Sequence, residues 1–244
     1  MAKWFAEVAD TFSRCFLENG YWKWIVDGFK TSIIITVFAV LLGFVLGIIL
    51  ATIRCSYDKN EEALKMRKSF GYYILKFING ICKLYITVIR GVPVVVQLMI
   101  WYFVILVSQN NSTIVAIVAF GCNSAAYVAE IFRGGIMSVD AGQLEAGRSL
   151  GFNYVQTMYH IVIPQAIKTV LPTLLNEVIA LLKETSVAGY VGITDLTKAG
   201  DQIRGRTFEA FMPLLIVAVI YLITVVILTK VFGVVERRLR KSER

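Results

Sequence analysis

"EAGRSLGFNYVQTMYHIVIPQ", residues 145–165, is a polar, glycine-punctuated stretch in a chain that is otherwise largely apolar. It carries Glu145, Arg148, Gly147, Gly151 and the chain's only histidine, His160. Its meaning depends on its surroundings. With 57% hydrophobic and 17% charged residues, the chain is far more apolar than a soluble domain, which averages ~45–50% apolar and ~25% charged. Lipid is the expected solvent. A helix that crosses the hydrocarbon core needs ~20 predominantly apolar residues, and residues 31–53 and 210–229 are uncharged runs of that kind.

Residues 91–129 are also uncharged but too long for one span, and "SQNNST" at 108–113 interrupts them. Two helices meeting at a short polar turn are expected there. The first starts near Tyr72, with a break at "RGVP", residues 90–93, where Pro93 removes a backbone donor. Residues 166–191 carry Lys168, Glu177, Lys183 and Glu184 but are still long enough to cross. The expected fold is therefore an all-α integral membrane protein of about five transmembrane helices.

Orientation follows from Lys and Arg, which are in excess in cytoplasmic loops. The segment after the first span holds Arg54, Lys59, Lys65, Arg67, Lys68 and Lys76, and the chain closes on "ERRLRKSER". Both lie inside. The 108–113 turn has no cation and lies outside, so residues 140–160, between the third and fourth spans, face the cytoplasm and the N-terminus is external.

The net charge of +8 is explained by basic residues beside membrane ends, where anionic lipid is the partner; no nucleic acid is implied. Cys15, Cys55, Cys82 and Cys122 lack metal-type spacing and read as packing residues. Residues 1–27 lack the continuous apolar core of a signal peptide and read as an interfacial helix carrying Trp4, Trp22 and Trp24. Residues 28–236 form one membrane domain and 237–244 a basic cytoplasmic tail. "GFVLG" at 43–47 is a G-x-x-x-G, a pattern that permits close helix approach but is common by chance in apolar segments.

Within the cytoplasmic stretch, Asp140 is placed to cap a short helix that Gly151 stops, and Asn153 to cap a second that runs to Pro164. Two short helices at a sharp angle are predicted. Gly142 and Gly147 each cost about 1 kcal/mol against Ala inside a helix, and the close approach of another surface would account for them.

The order Glu145, Ala146, Gly147, three residues, Gly151, nine residues, then Ile161, Val162, Ile163, Pro164 resembles the EAA loop of ABC importer permeases. Gly147 replaces the second Ala and Ile163 a Leu, without altering the spacing. "YITVIRGVPVVVQL" at 85–98, "NSAAYVAEIFRGGIMSV" at 123–139 and "NEVIALLKETSVAGYVGITDLTKAGDQI" at 176–203 are similar to the polar amino-acid permeases of the histidine, glutamine and arginine type.

The resemblance implies a multi-pass subunit of a bacterial cytoplasmic (inner) membrane importer for polar amino acids. It would pair with a second permease, a copy or a paralogue. Two cytosolic ATP-binding subunits would dock on the loops, and an extracytoplasmic binding protein would deliver the solute. ATP and magnesium belong to the partner ATPase, and the chain is not itself an enzyme. In agreement, it contains no G-x-x-x-x-G-K-[ST] phosphate cradle. The helix over 140–151 would enter a cleft of the ATPase, with Glu145 and Arg148 as polar contacts and Leu144 and Leu150 as apolar ones. Gly147 and Gly151 would allow close backbone approach, and Ala146 belongs to the same ATPase-coupling set.

A second constellation lies within the spans. Asn176 and Lys183, and beside them Glu177 and Glu184, are seven apart and form one stripe that Thr173 extends. Asn123, Tyr127 and Glu130 repeat at i, i+4 and i+7 on the third span. A mid-bilayer charge costs at least ~2.5–3.5 kcal/mol on insertion scales, so such groups face protein or a wet cavity. A polar translocation path is one reading; an internal salt bridge or a position at the interface is the other, and is favoured for Glu177 and Glu130. The expected solute-binding set is Arg90, Gln97, Asn123, Tyr127, Glu184, Thr185 and Ser186. Glu184 as selecting group leans the solute toward a basic amino acid. The alternative function is an ion-coupled secondary amino-acid transporter, against which stand the absence of an inverted repeat and the 145–164 spacing.

Overall fold

Apolar length dictates the architecture. The computed structural model describes residues 1–67 and 70–241, with the side chains of 2–6, 60–67 and 239–241 excepted. Trp4, Lys65, Arg67, Lys68 and the end of the basic tail therefore lie outside the described side chains. Among the described residues, five helices are long and apolar enough to cross a membrane.

Helix α1 (Ala2–Phe12) continues into a π turn, Ser13–Leu17, and a turn at Gly20 leads to α2 (Trp22–Arg67). α2 has 46 residues, roughly 70 Å at ~1.5 Å per residue, so it outruns the ~30 Å hydrocarbon core. α3 (Phe70–Gly91) is separated from α4 (Val94–Ile100) at Val92 and Pro93, the break expected where proline removes a donor. α4 extends as a π turn, Trp101–Ile105. The polar turn then ends on Asn111, whose Oδ1 accepts from the N–H groups of Thr113 and Ile114 at 3.0 and 3.4 Å and so caps α5 (Ser112–Met137).

After α5 come α6 (Gly142–Ser149) and α7 (Tyr154–Thr157). The predicted stop at Pro164 is absent. α7 passes through a π turn, Met158–Val162, straight into α8 (Ile163–Glu184), which contains both Pro164 and Pro172. In the wide turn Ile163 N–H donates to Met158 O, five residues back. That spacing relaxes the ladder where the Pro164 ring would otherwise meet the preceding carbonyls. A 3₁₀ segment, Thr185–Val191, leads to α9 (Leu196–Thr207) and then α10 (Phe211–Lys241).

The chain forms two compact units. The first takes residues 1–39, 94–120 and 179–231. Its core joins Cys15 and Phe16 to Ile25 of α2, to Leu196, Ala199 and Ile203 of α9, and to Met212 and Val217 of α10. The end of the N-terminal segment is thus a packing element as well as an amphipathic one, and Trp24 packs on this core while Trp22 is exposed.

The second unit takes residues 40–93, 121–178 and 232–244. Here the G-x-x-x-G has a purpose that chance occurrence would not supply. A Cβ on Gly43 would lie 2.8 Å from Ser124 Cβ, and one on Gly47 would lie 2.5 Å from Val128 Cγ1. α2 and α5 approach closely through these two positions. Ile86 of α3 packs with Ala126 and Ala129 of α5, and Tyr85 Oη donates to Cys122 O at 2.6 Å. Val170 and Leu174 of α8 complete the packing around Val128. As expected of packing residues, Cys15, Cys55 and Cys82 are buried.

Candidate functional site

The loop between α5 and α8 is built by local capping. Asp140 Oδ1 accepts from Gly142 N–H at 2.6 Å and opens α6. At its other end Phe152 N–H donates to Gly147 O and Gly151 N–H to Arg148 O, at 3.0 and 2.9 Å. With Gly151 at φ +82°, this is a Schellman stop, which needs a left-handed residue. Asn153 and Gln156 then form a capping box, side chain to backbone in both directions, that starts α7.

Gly147 shows the close approach expected of it within the chain itself. It is buried, and a Cβ there would meet Thr157 Cγ2 at 2.5 Å and Oγ1 at 2.7 Å. The surface that approaches it is α7 of the same chain. What α6 presents outward includes Glu145, Ala146 and Arg148, with Leu144 half-buried and Leu150 exposed just past its end. Leu150 (74% exposed), Val155 (71%) and Tyr159 (68%) add an apolar patch. His160 stands in a helical π turn, not a loop, with ring contacts to Phe152 and Tyr159.

The expected solute-binding residues divide between the units. Arg90, Asn123 and Tyr127 belong to the second. The Arg90 guanidinium lies over the Tyr127 ring, 5.3 Å from its centroid, a cation–π geometry. Both line a cavity of about 520 Å³ together with Arg54, Lys83, Thr87 and Glu130. Asn123 is buried one turn from Tyr127.

Glu130 is held by Arg133, whose Nε and Nη2 donate to its carboxylate at 3.0–3.3 Å, while Arg133 Nη1 reaches Asp58 Oδ2 at 3.4 Å. The salt-bridge reading of Glu130 holds, with Arg133, three residues on along α5, as its partner. Glu177 accepts from Ser124 Oγ at 3.1 Å.

Gln97, Glu184, Thr185 and Ser186 belong to the first unit. Thr185 is fully buried and its hydroxyl donates to Leu182 O at 2.7 Å, so it acts first as a structural group. Glu184 is partly buried, and Ser186 lines a cavity of about 390 Å³ with Tyr190, Thr197, Lys198 and Asp201.

Sequence reading missed the buried polar node beside that cavity. Asp195 accepts from Thr197 and Lys198 N–H at 2.8 and 3.2 Å and caps α9, while Ser32 Oγ accepts from Leu196 N–H at 3.1 Å. Burial pushes the Asp195 carboxyl above the ordinary range, against the backbone donors that pull it down. The Arg204 and Lys198 hydrogen bonds hold exposed Asp201 below its usual value. An Asp just before an apolar-periodic run was the available signal for Asp195.

Comparison with known proteins agrees with this architecture. Residues 69–241 match the family described as binding-protein-dependent transport system inner membrane component. The arginine transport system permease protein ArtQ of Bacillus subtilis (strain 168) is 35% identical over 222 residues, covering 90% of this chain and 94% of that protein. The glutamine transport system permease protein GlnP of Escherichia coli (strain K12) is 33% identical over 220 residues, covering 88% and 93%. The crystal structure of an amino acid ABC transporter with histidines superposes with TM-score 0.77 at 35% identity, covering 89% of this chain and 95% of that one. The inward-facing MetNI methionine transporter shares the fold at 20% identity and TM-score 0.73. A match over the helices that build both units, and relatives aligned along nearly their whole length, establish that this chain belongs to the inner-membrane permease family of binding-protein-dependent ABC transport systems.

Proposed function

We propose that the chain is the permease subunit of an ATP-driven importer of polar amino acids, with a lean toward a basic one. The alignment with arginine and glutamine permeases along nearly their whole length carries this reading. In it, the chain pairs with a second permease, a copy or a paralogue, and an extracytoplasmic binding protein delivers the solute. Two cytosolic subunits bind ATP and magnesium and grip α6 through Glu145, Arg148 and the apolar patch at Leu150. The N-terminus with its interfacial segment is outside, and the basic C-terminal tail inside.

In the second unit Arg90 and the Asn123 amide are suited to the solute's carboxylate, with the Tyr127 ring beside Arg90; in the first unit the Gln97 amide is a further polar group for the solute. The half-buried Glu184 selects a cationic side chain, with Ser186 nearby. Glu184 supports the basic lean because a carboxylate at that depth is favoured by a cation that can come and go. Glu184→Gln in the assembled complex is expected to lower arginine uptake selectively while glutamine uptake is retained. Unchanged arginine transport would reject the selecting role. Transport in vesicles without ATP would replace the importer by the ion-coupled alternative.

A further inference from the structure

The cavity between α2, α3 and α5 holds more positive charge than the reading above uses. Arg54, Lys83 and Arg90 line it against one carboxylate, Glu130, and Arg133 already neutralises that carboxylate. Arg54 Nε is buried with no hydrogen-bond partner. We infer that this cavity binds the phosphate headgroup of an anionic glycerophospholipid of the inner leaflet.

Depth supports a lipid. Arg54 is the first charged residue after the uncharged run 31–53 of α2, so it marks where that helix leaves the hydrocarbon on the cytoplasmic side. Lys83 and Glu130 line the same cavity as Arg54. Basic pockets between helices on that side suit anionic headgroups. The general excess of cytoplasmic cations accounts for Arg54 and Lys83 singly, but not for their convergence with Arg90, two turns further along α3, on one hollow.

The wall has the amphiphilic arrangement a phospholipid needs. Lys83, Thr87 and Arg90 recur at i, i+4 and i+7 on α3 and form one stripe. Beside them Leu84 (64% exposed) and Val88 (51%) stand open and offer an apolar ridge leading from the headgroup toward the bilayer centre. Arg54 and Lys83 are the two cations of this wall that the solute reading leaves unused. A phosphodiester would be held by them.

The test uses the chain assembled with its partner subunits in nanodiscs of equal phosphatidylglycerol and phosphatidylcholine, followed by native mass spectrometry of retained lipid. The wild type is expected to retain phosphatidylglycerol preferentially, and the double variant Arg54→Gln, Lys83→Gln to lower that occupancy about tenfold or more. The pair Arg54→Lys, Lys83→Arg should keep it, which separates lost charge from lost folding. Equal retention of the two lipids, or unchanged occupancy in the neutral variant, would overturn the inference. So would displacement of the lipid signal by millimolar free phosphate or solute, which would mark a small-anion site. Lipid retention is read without transport, so its failure leaves the importer reading intact.

Discussion

Gly147 lies against Thr157 so closely that a Cβ built on it would sit 2.5 Å from Thr157 Cγ2. The two residues lock α6 onto the first turn of the helix that becomes the fourth span. The glycine of the Glu-Ala-Gly stretch is here an internal joint.

Gly147→Ala should therefore destabilise the loop by about 1–3 kcal/mol, the usual cost of overpacking, even before any partner is present. Thr157→Ala removes both clashing atoms and should recover most of that loss. A double-mutant cycle by thermal melting is expected to show coupling of about 1 kcal/mol or more. Additive effects would mean that the two residues do not meet.

At Gly151 the constraint is conformational. With φ at +82°, a side chain costs roughly 1–2 kcal/mol, and Gly151→Asp adds a charge next to the apolar patch at Leu150. Import and solute-stimulated ATP hydrolysis should both fall while the subunit still inserts. Normal stimulation and import in this variant would remove Gly151 from the coupling loop.

The glycine pair on α2 makes a packing prediction inside the membrane. Gly47→Ala puts a methyl into the β-branched Val128 side chain, which has little rotamer freedom in a helix. A loss of about 1–3 kcal/mol is expected, lowering the detergent melting temperature, with Val128→Ala as the compensating change. An unshifted melt would show that α2 and α5 can separate freely.

Asp195 predicts a pH dependence. Its folded pKa is raised, so its contribution to stability is full below the unfolded value of ~3.9 and is lost as pH rises through the higher folded value. Asparagine can still cap α9 but does not titrate. The melting temperature of Asp195→Asn relative to wild type should therefore rise between about pH 4 and neutrality. A constant difference across that range would argue against a buried charge at this cap. Asp201 shifts the other way, but as an exposed ion pair it contributes little, and it is common to both proteins.

The spans were readable because uncharged length is a one-dimensional property: 31–53 and 210–229 needed no partner to be recognised. So was the Gly151 stop, because the left-handed residue and its hydrogen bonds are local. The role of Gly147 was not, since Thr157 meets it only once α6 folds back on α7. The same holds for Arg133, which holds Glu130 from its own helix and Asp58 from α2. Pro164 misled because proline is a helix stop only where the preceding turn cannot widen, and the π turn at Met158–Val162 widens it. Arg54 and Lys83 were counted for orientation or passed over, because a sequence shows charge but not convergence on a cavity.

The unbroken passage from α7 through the π turn into α8 makes Tyr154 and Glu177 two points on a single continuous helical arm. At ~1.5 Å per residue its arm is about 35 Å long, so a tilt of about 10° imposed at the Asn153 cap sweeps the Glu177 end through roughly 6 Å. A push on the α6–α7 loop would therefore need no relay of side chains to reach the interior of the second unit; it would arrive as leverage.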